Sequence, residues 1–523
     1  MGIRSAIREL FNRNTATPTQ APRQRMYEGA RVNRLTSDWV TSGTSADAEI
    51  KSSLPRLRNR SRQLVRDNSY AQQTIRAVRN NVIGVGVRLQ GQVRMQRGGG
   101  RFDAVTNNAI ETAWAKWGRK DSCHTAGRLC FSDMSRLLIS ATAESGEVFV
   151  RMVRQPFGRS KVPFALEVIE SDLLDDTYTG GSTVVGNEWR MGVELDRWGR
   201  PVQYAFLRKH PGDNELGGMP AGGRHRFVPA SEVLHLYVSD RPGQTRGVPW
   251  LASAIQRLHQ VDGFEQATVI RARASSALMG FISSPEGELQ GDDLMDGERV
   301  TSFEPGVFKY LAPGESVSVP NLDAPDGQLE PFLRSMLRAV ASGVGCAYTT
   351  ISGDYSQSNY SSSRLSLMEE RDNWKALQQW MIENFHQPVF EAWLEMAVLA
   401  GELNLPVYET DPDRYRNVRW FPRGWSYIDP SKEITAYKDA VRCGFKTQAE
   451  VVAEQGGDLE ELLVARKAEV DRAEELDLYF DTNPENEHEQ TENPAMEATE
   501  DAQETADSME TNQIAEESDE PIA

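Results

Sequence analysis

The sequence predicts an α+β fold, in which helices and antiparallel strands occupy separate stretches of the chain. From Gln328 to Ala400, apolar residues recur at spacings of three and four, which is typical of amphipathic helices. Between Glu147 and Val238 the spacing changes to two, which is typical of strands with one buried face. Residues 284–327 contain five prolines between short strand-like pieces, and they predict a compact β insert between helices.

The N-terminal part of the chain predicts an arm followed by helices. Residues 1–45 hold few large apolar side chains and predict a flexible basic arm. Apolar spacing from Ile50 to Val87 predicts helices, and further helices are predicted over 103–118 and 131–145. Four arginines are placed on the polar side of the first helices: Arg56, Arg58, Arg60 and Arg62. They could contact phosphates, but a solvated helix face is the favoured interpretation.

The middle of the chain predicts antiparallel β structure. Apolar residues alternate through Val148, Val150 and Met152, which predicts a strand. Another pair of alternating runs is separated by the turn Asp196–Gly199, which predicts a hairpin. His235 lies within an apolar strand-like run, so we expect a buried, hydrogen-bonded core histidine.

Two amphipathic helices are predicted on either side of the β insert, over 249–278 and 328–344. Pro331 fits only in a first turn, so the second helix begins near Gln328. Its apolar face carries seven residues: Leu329, Phe332, Leu333, Met336, Leu337, Val340 and Val344. Burial of that face could contribute ~10 kcal/mol before entropy, at roughly 1.5–3 kcal/mol per large apolar side chain. The helix must therefore pack against another part of the protein.

A polar loop follows this helix, over Ile351–Ser363. It has no aliphatic residue after Ile351 and cannot form a core of its own. One residue of Ser361–Ser363 is expected to cap the next helix, because small hydroxyl side chains cap helices well. That next helix is predicted to be long and kinked at Pro388. In an arbitrary protein, the simplest interpretation of this stretch is a helical hairpin with a solvated tip.

The sequence contains no recognisable catalytic motif. The dipeptide Gly-Lys does not occur, which excludes a P-loop ATPase. Gly84–Val87 is half of a dinucleotide-binding pattern, and it predicts a turn into a strand because the helix precedes it. The acidic groups of Asp172–Asp176 and Asp292–Asp293 lack a histidine partner, so solvated loop acids are favoured over metal ligands. No enzyme activity, no cofactor and no metal are expected.

The four cysteines, Cys123, Cys130, Cys346 and Cys443, are too scattered for a disulfide framework. Cys123 and Cys130 lie near a histidine but lack a fourth ligand at a zinc spacing, so free buried thiols are favoured. No apolar run approaches the 18 or more residues of a membrane helix. The N-terminus also lacks the apolar core of a secretory signal, and we expect a cytoplasmic protein.

Charge is distributed unevenly along the chain. The net charge is −18, yet residues 1–101 carry roughly thirteen more basic than acidic groups. No Lys or Arg follows Arg472, whereas about eighteen carboxylates follow from Glu474 onward. The segment 481–523 is therefore predicted to be a disordered acidic tail. The two ends could attract each other within an assembly.

Several ordered stretches of the sequence resemble the lambda-type phage portal proteins. The resemblance extends over roughly residues 25–475. The matching stretches are Gly192–Asp196 with Gly199–Pro201, Asp240–Trp250, Gly353–Ser356 with Asn359–Arg364, and Asp429–Pro430 with Lys432–Glu433.

The resemblance implies a portal fold whose parts follow one another along the chain. These parts are the flexible basic arm (1–45), a β-rich wing (46–247), a first stem helix (248–280), a small β clip (281–327), a second stem helix (328–345), a tunnel loop (346–363), a long kinked helix with a return to the wing (364–430), a helical crown (431–480) and the acidic tail (481–523).

The resemblance also implies a function without enzyme activity. Such a subunit forms a ring of about twelve copies at one vertex of a phage capsid, with closed symmetry. Double-stranded DNA passes through the ring without sequence specificity, driven by a separate terminase. Further partners would be the major capsid and scaffold proteins and the head-completion or adaptor proteins, with no membrane. The protein would reside in the virion, after assembly in the bacterial cytoplasm.

Two groups of site residues follow from the resemblance. The tunnel loop would face DNA through Asp354, Tyr355, Ser356, Gln357, Ser358, Asn359 and Tyr360. The clip would dock partners through Phe303, Phe308, Tyr310 and Leu311. The alternative is a DNA-binding or nucleic-acid-processing enzyme that acts through the basic arm. A third interpretation is a scaffold that folds around partners through its charged ends.

Overall fold

The computed structural model describes the backbone and side chains of most of the chain, namely residues 37–95, 101–213, 223–273, 329–357 and 359–476. Residues 30, 34, 274–276 and 478 and four short strands between 281 and 318 are also described. Most of the predicted arm, the whole predicted tail and the strand-like piece at 307–311 lie outside these residues.

Helices precede the first long strand, as the apolar spacing predicts. They are α1 (Ala46–Asp67), α2 (Ser69–Val82), α3 (Ala104–Trp117), α4 (Lys120–Cys123) and α5 (Phe131–Ser145). Asn68 separates α1 from α2, and its side-chain oxygen accepts hydrogen bonds from Tyr70 N and Ala71 N at 3.1 and 3.0 Å. This cap satisfies two of the free amides at the start of α2. The Gly84–Val87 segment forms the predicted turn into a strand, β1 (Arg88–Gly91).

Two antiparallel sheets form the β-rich part. The first has the order β3-β2-β9, with β2 (Glu147–Val153) between β3 (Ala165–Ile169) and β9 (Val233–Tyr237). The second has five strands in sequence order: β4 (Gly180–Gly181), β5 (Glu188–Arg190), β6 (Val193–Leu195), β7 (Pro201–Leu207) and β8 (His225–Pro229). The predicted hairpin is confirmed as β6 and β7.

Strand β2 is buried on both faces, because it separates two hydrophobic cores. Val148 and Val150 belong to a core formed mainly by helices. Phe149 points the other way, into a core between the two sheets. There it packs edge-on against Phe206 with ring centroids 5.3 Å apart. The alternation predicted for this strand is present, but both of its faces are apolar environments.

The second half of the chain is mostly helical. It begins with α6 (Ile255–Ser276) and two short pairs of strands, in which β10 (Phe281–Ser283) pairs with β13 (Ser316–Ser318) and β11 (Leu294–Met295) with β12 (Glu298–Arg299). The elements that follow are α7 (Leu329–Val344), α8 (Tyr348–Ser352), α9 (Tyr360–Met381), α10 (Gln387–Leu399), α11 (Asp413–Arg416), β14 (Val418–Phe421), α12 (Pro430–Arg442), α13 (Gln448–Glu454) and α14 (Leu459–Glu475).

The helical core joins the two halves of the chain. Trp114 of α3 packs against Trp393 of α10, with ring centroids 5.1 Å apart. Phe131 of α5 stacks on Phe385 at 5.3 Å. Strand β14 also pairs with β1, so the chain returns to its N-terminal part before α12. These contacts fix the long helical stretch against the N-terminal helices and β1.

The helical hydrogen-bond pattern changes just before Pro388, the position at which a kink is predicted. A π-helical turn, Ile382–His386, separates α9 from α10, and Pro388 lies in the first turn of α10. The proline has no amide hydrogen to donate to the preceding turn, and π turns are one way in which a helix accommodates this.

The first of the two predicted flanking helices begins later than expected. Residues 251–254 form turns, and regular α6 starts at Ile255 rather than at 248 or 249. Trp250 N donates to Ala143 O of α5 at 3.0 Å, and Ala252 N to Pro249 O at 2.9 Å. The segment is therefore held by contacts with α5 and by tight turns, which apolar spacing alone does not reveal.

The solvated interpretation of the arginines on α1 is wrong for Arg58. Its side chain is 2% exposed, and Nη2 lies 2.9 Å from Glu147 Oε1. Arg62 is also directed inward and pairs with Glu170 and Asp172. Arg56 and Arg60 are exposed, as expected. The helix thus has one solvated and one paired row of arginines.

Glu147 is the centre of a buried ionic cluster. Its carboxylate also accepts hydrogen bonds from Arg246 Nε at 2.8 Å, from Gly247 N at 2.9 Å and from His235 Nε2 at 3.0 Å. The prediction of His235 as a satisfied core histidine is confirmed. Arg246 and Gly247 belong to the stretch Asp240–Trp250. A side chain at Gly247 would collide with the carbonyl of Gly146. This part of the portal-like pattern therefore closes the β-rich part around Glu147.

The acidic groups at Asp172–Asp176 differ from the prediction of solvated loop acids. Asp175 is 4% exposed and lies 2.7 Å from His225 Nε2, so it does have a histidine partner. Asp172 is paired with Arg58 and Arg62. Asp292–Asp293 lie outside the described residues.

All four cysteines are free, but only Cys123 and Cys346 are buried. Burial raises the pKa of both thiols to about 12, which keeps them protonated and unreactive. Cys130 is half-buried, so the expectation of a buried thiol is wrong for it, and Cys443 is exposed. No helix within the described ranges combines the length and apolar character that a membrane crossing requires.

Candidate nucleic-acid interface

Helices α6 and α7 pack against each other in opposite directions. Near the start of α6, Ser253 Oγ donates to Gly343 O, near the end of α7, at 3.2 Å. Further along, Phe264 of α6 packs on Phe332, near the start of α7, with ring centroids 4.4 Å apart. The β insert therefore connects the end of α6 to the start of α7, at the opposite end of the helix pair from Ser253 and Gly343.

At its other end α7 leads into the predicted polar loop. The predicted apolar face is only partly buried in the single chain, with Leu337 at 3% exposure and Phe332 at 38%. The chain then turns at Gly345, which has a φ of 78°. The short helix α8 follows, within a stretch that the sequence predicts as loop. The loop proper is therefore shorter than predicted and extends over residues 353–359.

Gly353 ends α8 in the left-handed conformation, with a φ of 68°. A residue with a Cβ is strained there, which accounts for glycine at this position. The amide of Gly353 donates to Thr349 O at 2.9 Å. The loop thus leaves α8 through a defined cap.

Asp354 organises the first half of the loop. Its Oδ1 accepts hydrogen bonds from the amide and hydroxyl of Ser356 at 3.0 and 2.6 Å. Its Oδ2 accepts one from Tyr348 Oη at 2.8 Å and lies 3.5 Å from Arg334 Nη2 of α7. The hydrogen bonds from Ser356 and Tyr348, with Arg334 nearby, lower the pKa of Asp354 to about 2. Asp354 therefore stays negative and mainly shapes the turn.

Asn359 ends the loop and caps α9. Its side chain accepts a hydrogen bond from Ser362 N at 2.8 Å, and its own amide donates to Ser362 Oγ at 3.3 Å. This reciprocal arrangement is a capping box. The prediction that one of Ser361–Ser363 caps the helix is wrong, because Ser362 is the third residue of the helix and Asn359 is the cap.

Glu370 fastens the base of the loop. This carboxylate, on α9, is 5% exposed. It accepts hydrogen bonds from Ala347 N at 3.2 Å and from Thr350 Oγ1 at 2.8 Å, both at the start of α8. The two arms on either side of the loop are thereby tied together below it. The sequence analysis missed Glu370, although it precedes Trp374 by four residues and therefore lies on the buried face of α9.

The tip of the loop projects from this base. Tyr355 and Tyr360 are 65% and 57% exposed. Ser356 and Gln357 are exposed as well, whereas Asp354 is half-buried. Between Ile351 and Ser363 there is no Lys or Arg. The surface that the loop offers is thus aromatic, hydroxyl and amide in character.

The structure brings together six of the seven predicted loop residues, and Ser358 lies outside the described residues. The predicted clip residues Phe303, Phe308, Tyr310 and Leu311 also lie outside them. Contacts are therefore described for the loop residues but not for the clip residues.

One group of possible metal ligands lies elsewhere, in the β-rich part. Ligand atoms of Glu170, Asp172 and His210 lie within 4.8 Å of one another. Both carboxylates pair with Arg62, and for Glu170 the distance to Arg62 Nη2 is 2.9 Å. The guanidinium already supplies the positive charge that the two carboxylates require. We therefore interpret the group as an ionic cluster.

Comparison with known proteins decides the family. A family profile described as "Phage portal protein, lambda family" matches residues 32–378. The chain belongs to the lambda family of phage portal proteins. The resemblance seen in the sequence is thereby confirmed, and family membership does not favour the alternative of a nucleic-acid-processing enzyme. Most of the portal-like stretches fall inside the matched range, and Asp429–Glu433 lies beyond it.

Individual portal proteins resemble this one over most of their length. The probable portal protein of Halomonas phage phiHAP-1 is 31% identical over 443 residues, which are 83% of this chain and 84% of that protein. Portal protein B of Escherichia phage lambda is 22% identical over 479 residues, which are 82% of this chain and 86% of that protein. Among solved structures, a chain from the neck of an empty gene transfer agent particle, computed with C6 symmetry, is 14% identical with a TM-score of 0.41. That match covers 78% of this chain and 93% of the other.

Proposed function

We propose that this portal protein assembles into a closed ring at one vertex of a phage capsid and that double-stranded DNA passes through its centre. The loop of residues 353–359 is the DNA-facing element of this channel. The observation that carries the proposal is the combination of a fastened base at Glu370 with an exposed tip that has no basic residue.

A moving duplex should not adhere to the channel. Tight binding requires Lys or Arg to neutralise several phosphates and release their counterions. Hydroxyl, amide and tyrosine groups contact the backbone weakly and without sequence preference. Tyr355 and Gln357 fit this requirement, and Asp354 is already engaged with its neighbours. The loop therefore suits contact with DNA in transit.

Ring assembly is supported by a part of the chain that has little core of its own. The last three helices, α12 to α14, bury one residue in the single chain, Ala473. Large apolar side chains remain exposed there: Ile434, Phe445, Leu462, Leu463, Val464, Leu476 and Leu478. Exposed apolar surface on this scale is typical of an interaction site. We propose that neighbouring subunits cover it in the crown of the ring.

The remaining parts of the portal follow from this arrangement. Helices α6 and α7 are the stem, and the insert between them is the clip. The clip docks terminase during packaging and head-completion or adaptor proteins afterwards, through Phe303, Phe308, Tyr310 and Leu311. The wing faces the major capsid and scaffold proteins. No step of this function requires catalysis by the portal itself, and its place is the virion after assembly in the host cytoplasm.

Negative-stain imaging of the purified full-length protein tests the proposal. We expect rings of about a dozen subunits with a central channel, as closed cyclic symmetry requires. A monomeric protein under conditions of assembly would contradict it.

The clip assignment has its own test. A variant with a short linker in place of residues 286–322 should still form rings but lose terminase binding in a pull-down. Undiminished terminase binding by that variant would contradict the assignment of the clip.

A further inference from the structure

A basic cleft lies at the C-terminal end of α3. Its volume is about 310 Å³. Basic and acidic side chains line it, namely Lys116, Arg119, Arg159, Lys161, Asp121 and Glu402. Basic groups therefore exceed acidic ones, in a protein whose net charge is −18. We call this site the α3 cleft.

One carboxylate already occupies part of the α3 cleft. Glu402 lies between two lysines, with Oε2 3.1 Å from Lys161 Nζ and Oε1 3.7 Å from Lys116 Nζ. Its side chain is only 17% exposed. The cleft is thus built to hold a carboxylate between cations.

Two further cations in the cleft, Arg119 and Arg159, have no partner among the described residues. Within the part of the chain that the structure describes, the side chains of Arg119 and Arg159 form neither an ion pair nor a hydrogen bond, and both are exposed. Guanidinium groups bind carboxylates through paired hydrogen bonds. The cleft therefore has free capacity for additional carboxylates.

We propose that the α3 cleft binds the acidic C-terminal segment of this protein, residues 481–523. This segment contains fifteen Asp and Glu and no Lys or Arg. Its carboxylates reproduce the chemistry of Glu402, and Arg119 and Arg159 receive them. The inference does not depend on the proposed channel function, because it requires only the cleft and the segment.

The path of the chain places the segment within reach. Arg88 Nη1 of β1 lies 3.4 Å from Glu461 Oε2 in the first turn of α14, and Gly91 N at the other end of β1 donates to Glu111 Oε1 of α3 at 2.7 Å, so the start of α14 lies close to α3. Glu111 precedes Lys116 by little more than one helical turn. Helix α14 is ~25 Å long, at 1.5 Å per residue. A chain of the segment's length spans ~35 Å even at random-coil dimensions. The segment of the same subunit can therefore reach the α3 cleft.

The size of the cleft favours a peptide over nucleic acid. A volume of about 310 Å³ accommodates a few side chains, and a duplex cannot enter it. A Glu or Asp side chain can enter and reach Arg119, as Glu402 already reaches Lys161. Each such contact should be weak, and the binding that several of them produce together should depend strongly on salt.

The test uses the protein truncated after Phe480 and a fluorescent peptide of residues 481–523. Fluorescence anisotropy should show binding at about 50 mM salt and a loss of at least about tenfold in affinity at about 200 mM salt, because screening increases with ionic strength. The double variant Arg119→Glu/Arg159→Glu should lower the affinity by about tenfold or more, which corresponds to about 1.4 kcal/mol. A peptide with Gln and Asn in place of Glu and Asp should not bind.

The matched control is Arg56→Glu/Arg60→Glu, which makes the same charge change on the exposed row of α1. It should leave peptide binding unchanged. Equal losses in the two double variants, or full affinity in the cleft variant, would overturn the proposal. A DNA duplex that binds more tightly than the peptide and depends on the same two arginines would overturn it in favour of a nucleic-acid site.

Imaging of the same preparations separates this result from the proposed function. Cleft-dependent binding without rings would contradict the channel proposal and leave the cleft proposal standing. Rings without cleft-dependent binding would contradict the cleft proposal and leave the channel proposal standing.

Discussion

Around Glu147, two arginines and a histidine donate to one carboxylate that has no exposed surface. Burial alone would raise the pKa of Glu147, but Arg246, His235 and Arg58 together hold it well below its usual value. Removal of one partner from such a cluster leaves the others as uncompensated buried charges. The arrangement is therefore sensitive to the loss of a single charge.

Glu147→Gln should destabilise the protein by about 3–5 kcal/mol, because Arg246 then lacks a counter-charge and Arg58 keeps only Asp172, at 3.4 Å, in a buried site. Urea unfolding followed by tryptophan fluorescence measures the change. The control is Glu461→Gln, since Glu461 is 68% exposed and pairs with an exposed arginine. That variant should unfold at the wild-type midpoint. A shift for Glu147→Gln as small as that of the control would show that the cluster does not depend on its negative charge.

His386 makes stability depend on pH. Its ring is fully buried, with Nδ1 3.1 Å from Met381 O and Nε2 3.3 Å from Ser135 Oγ. Burial lowers the pKa of His386 from 6.5 to about 4, against the smaller opposing effect of the Met381 carbonyl. The folded state of such a histidine has a lower pKa than the unfolded state. Its contribution to stability is therefore fully present at a pH above the unfolded pKa, and it is lost as the pH falls towards the folded pKa.

As the pH falls from 6.5 to 4, the lowered pKa of His386 should therefore reduce the free energy of unfolding by about 3 kcal/mol, at about 1.4 kcal/mol per pH unit. Urea midpoints measured across this window should fall less steeply for His386→Gln than for the wild type. His259→Gln is the matched control, because His259 is exposed on α6, and its profile should follow the wild type. Burial also lowers the pKa of His235, so some dependence on pH should persist in the His386 variant. Identical slopes in all three proteins would contradict the role of His386.

At the residue scale, the sequence predicts burial well for apolar side chains and poorly for charged ones. Arg58 follows Leu54 by four residues and therefore lies on the same face of α1. That spacing was the available signal that Arg58 is directed inward. Its partner Glu147 is 89 residues away along the chain, so no local pattern could reveal the pair.

At the scale of elements, the loop of residues 353–359 has separable structural and surface parts. Asp354 and Asn359 hold the turn and the cap of α9. Tyr355 and Gln357 are exposed and hold neither. A replacement of the whole loop would remove the cap as well, at a cost of about 1 kcal/mol. The informative variant changes Tyr355 and Gln357 alone.

Tyr355→Ser/Gln357→Gly should leave ring assembly and thermal unfolding nearly unchanged, because neither side chain supports the packing of α7 or α9. DNA packaging, or retention of packaged DNA, should fall sharply if the loop lines the channel. Nuclease protection of packaged DNA measures both. Heads that fill and retain DNA as well as wild type would contradict the DNA-facing assignment, and failure to form rings would identify the loop as a contact between subunits.

Leu337→Asp, at a nearby position, should abolish the ring assembly that the loop variant retains. Leu337 is 3% exposed on α7, and a charge there should cost several kcal/mol and prevent assembly. Ser335→Asp, at an exposed position of the same helix, is its control and should assemble normally.

Some elements with strong apolar spacing were predicted almost to the residue, whereas α6 begins at Ile255 rather than at 248 or 249. Helix α7 begins one residue after the predicted start, because Pro331 restricts it to a first turn. Boundaries set by side-chain hydrogen bonds were less predictable. The cap at Asn359 and the short helix α8 depend on contacts with Ser362 and Glu370, and neither contact has a periodic signature.

At the scale of the whole molecule, the sequence predicts the order of helical and β parts but not how they meet. Strand β2 lies between two cores because α5 and the five-stranded sheet cover its opposite faces. The pairing of β1 with β14 joins segments more than 300 residues apart, such as Leu89 and Trp420. Such long-range pairings cannot be read from local spacing. The portal-like pattern supplied the family, which the profile match over residues 32–378 confirms.

The exposed apolar side chains of the last three helices predict how the subunits associate. Phe445 is 83% exposed and Leu462 is 51% exposed, and neither supports the fold of the single chain. Phe445→Ser/Leu462→Ser should therefore unfold in urea as the isolated wild-type subunit does. Rings should become scarce, because burial of each large apolar side chain contributes about 1.5–3 kcal/mol and the loss recurs at every interface of the ring. Mass photometry over a range of protein concentrations measures the assembly. Lys467→Ser, at an exposed polar position of α14, is the control and should form rings normally. Normal rings from the double variant would show that these side chains lie outside the contact between neighbours, and easier unfolding would place them in the core of the subunit itself.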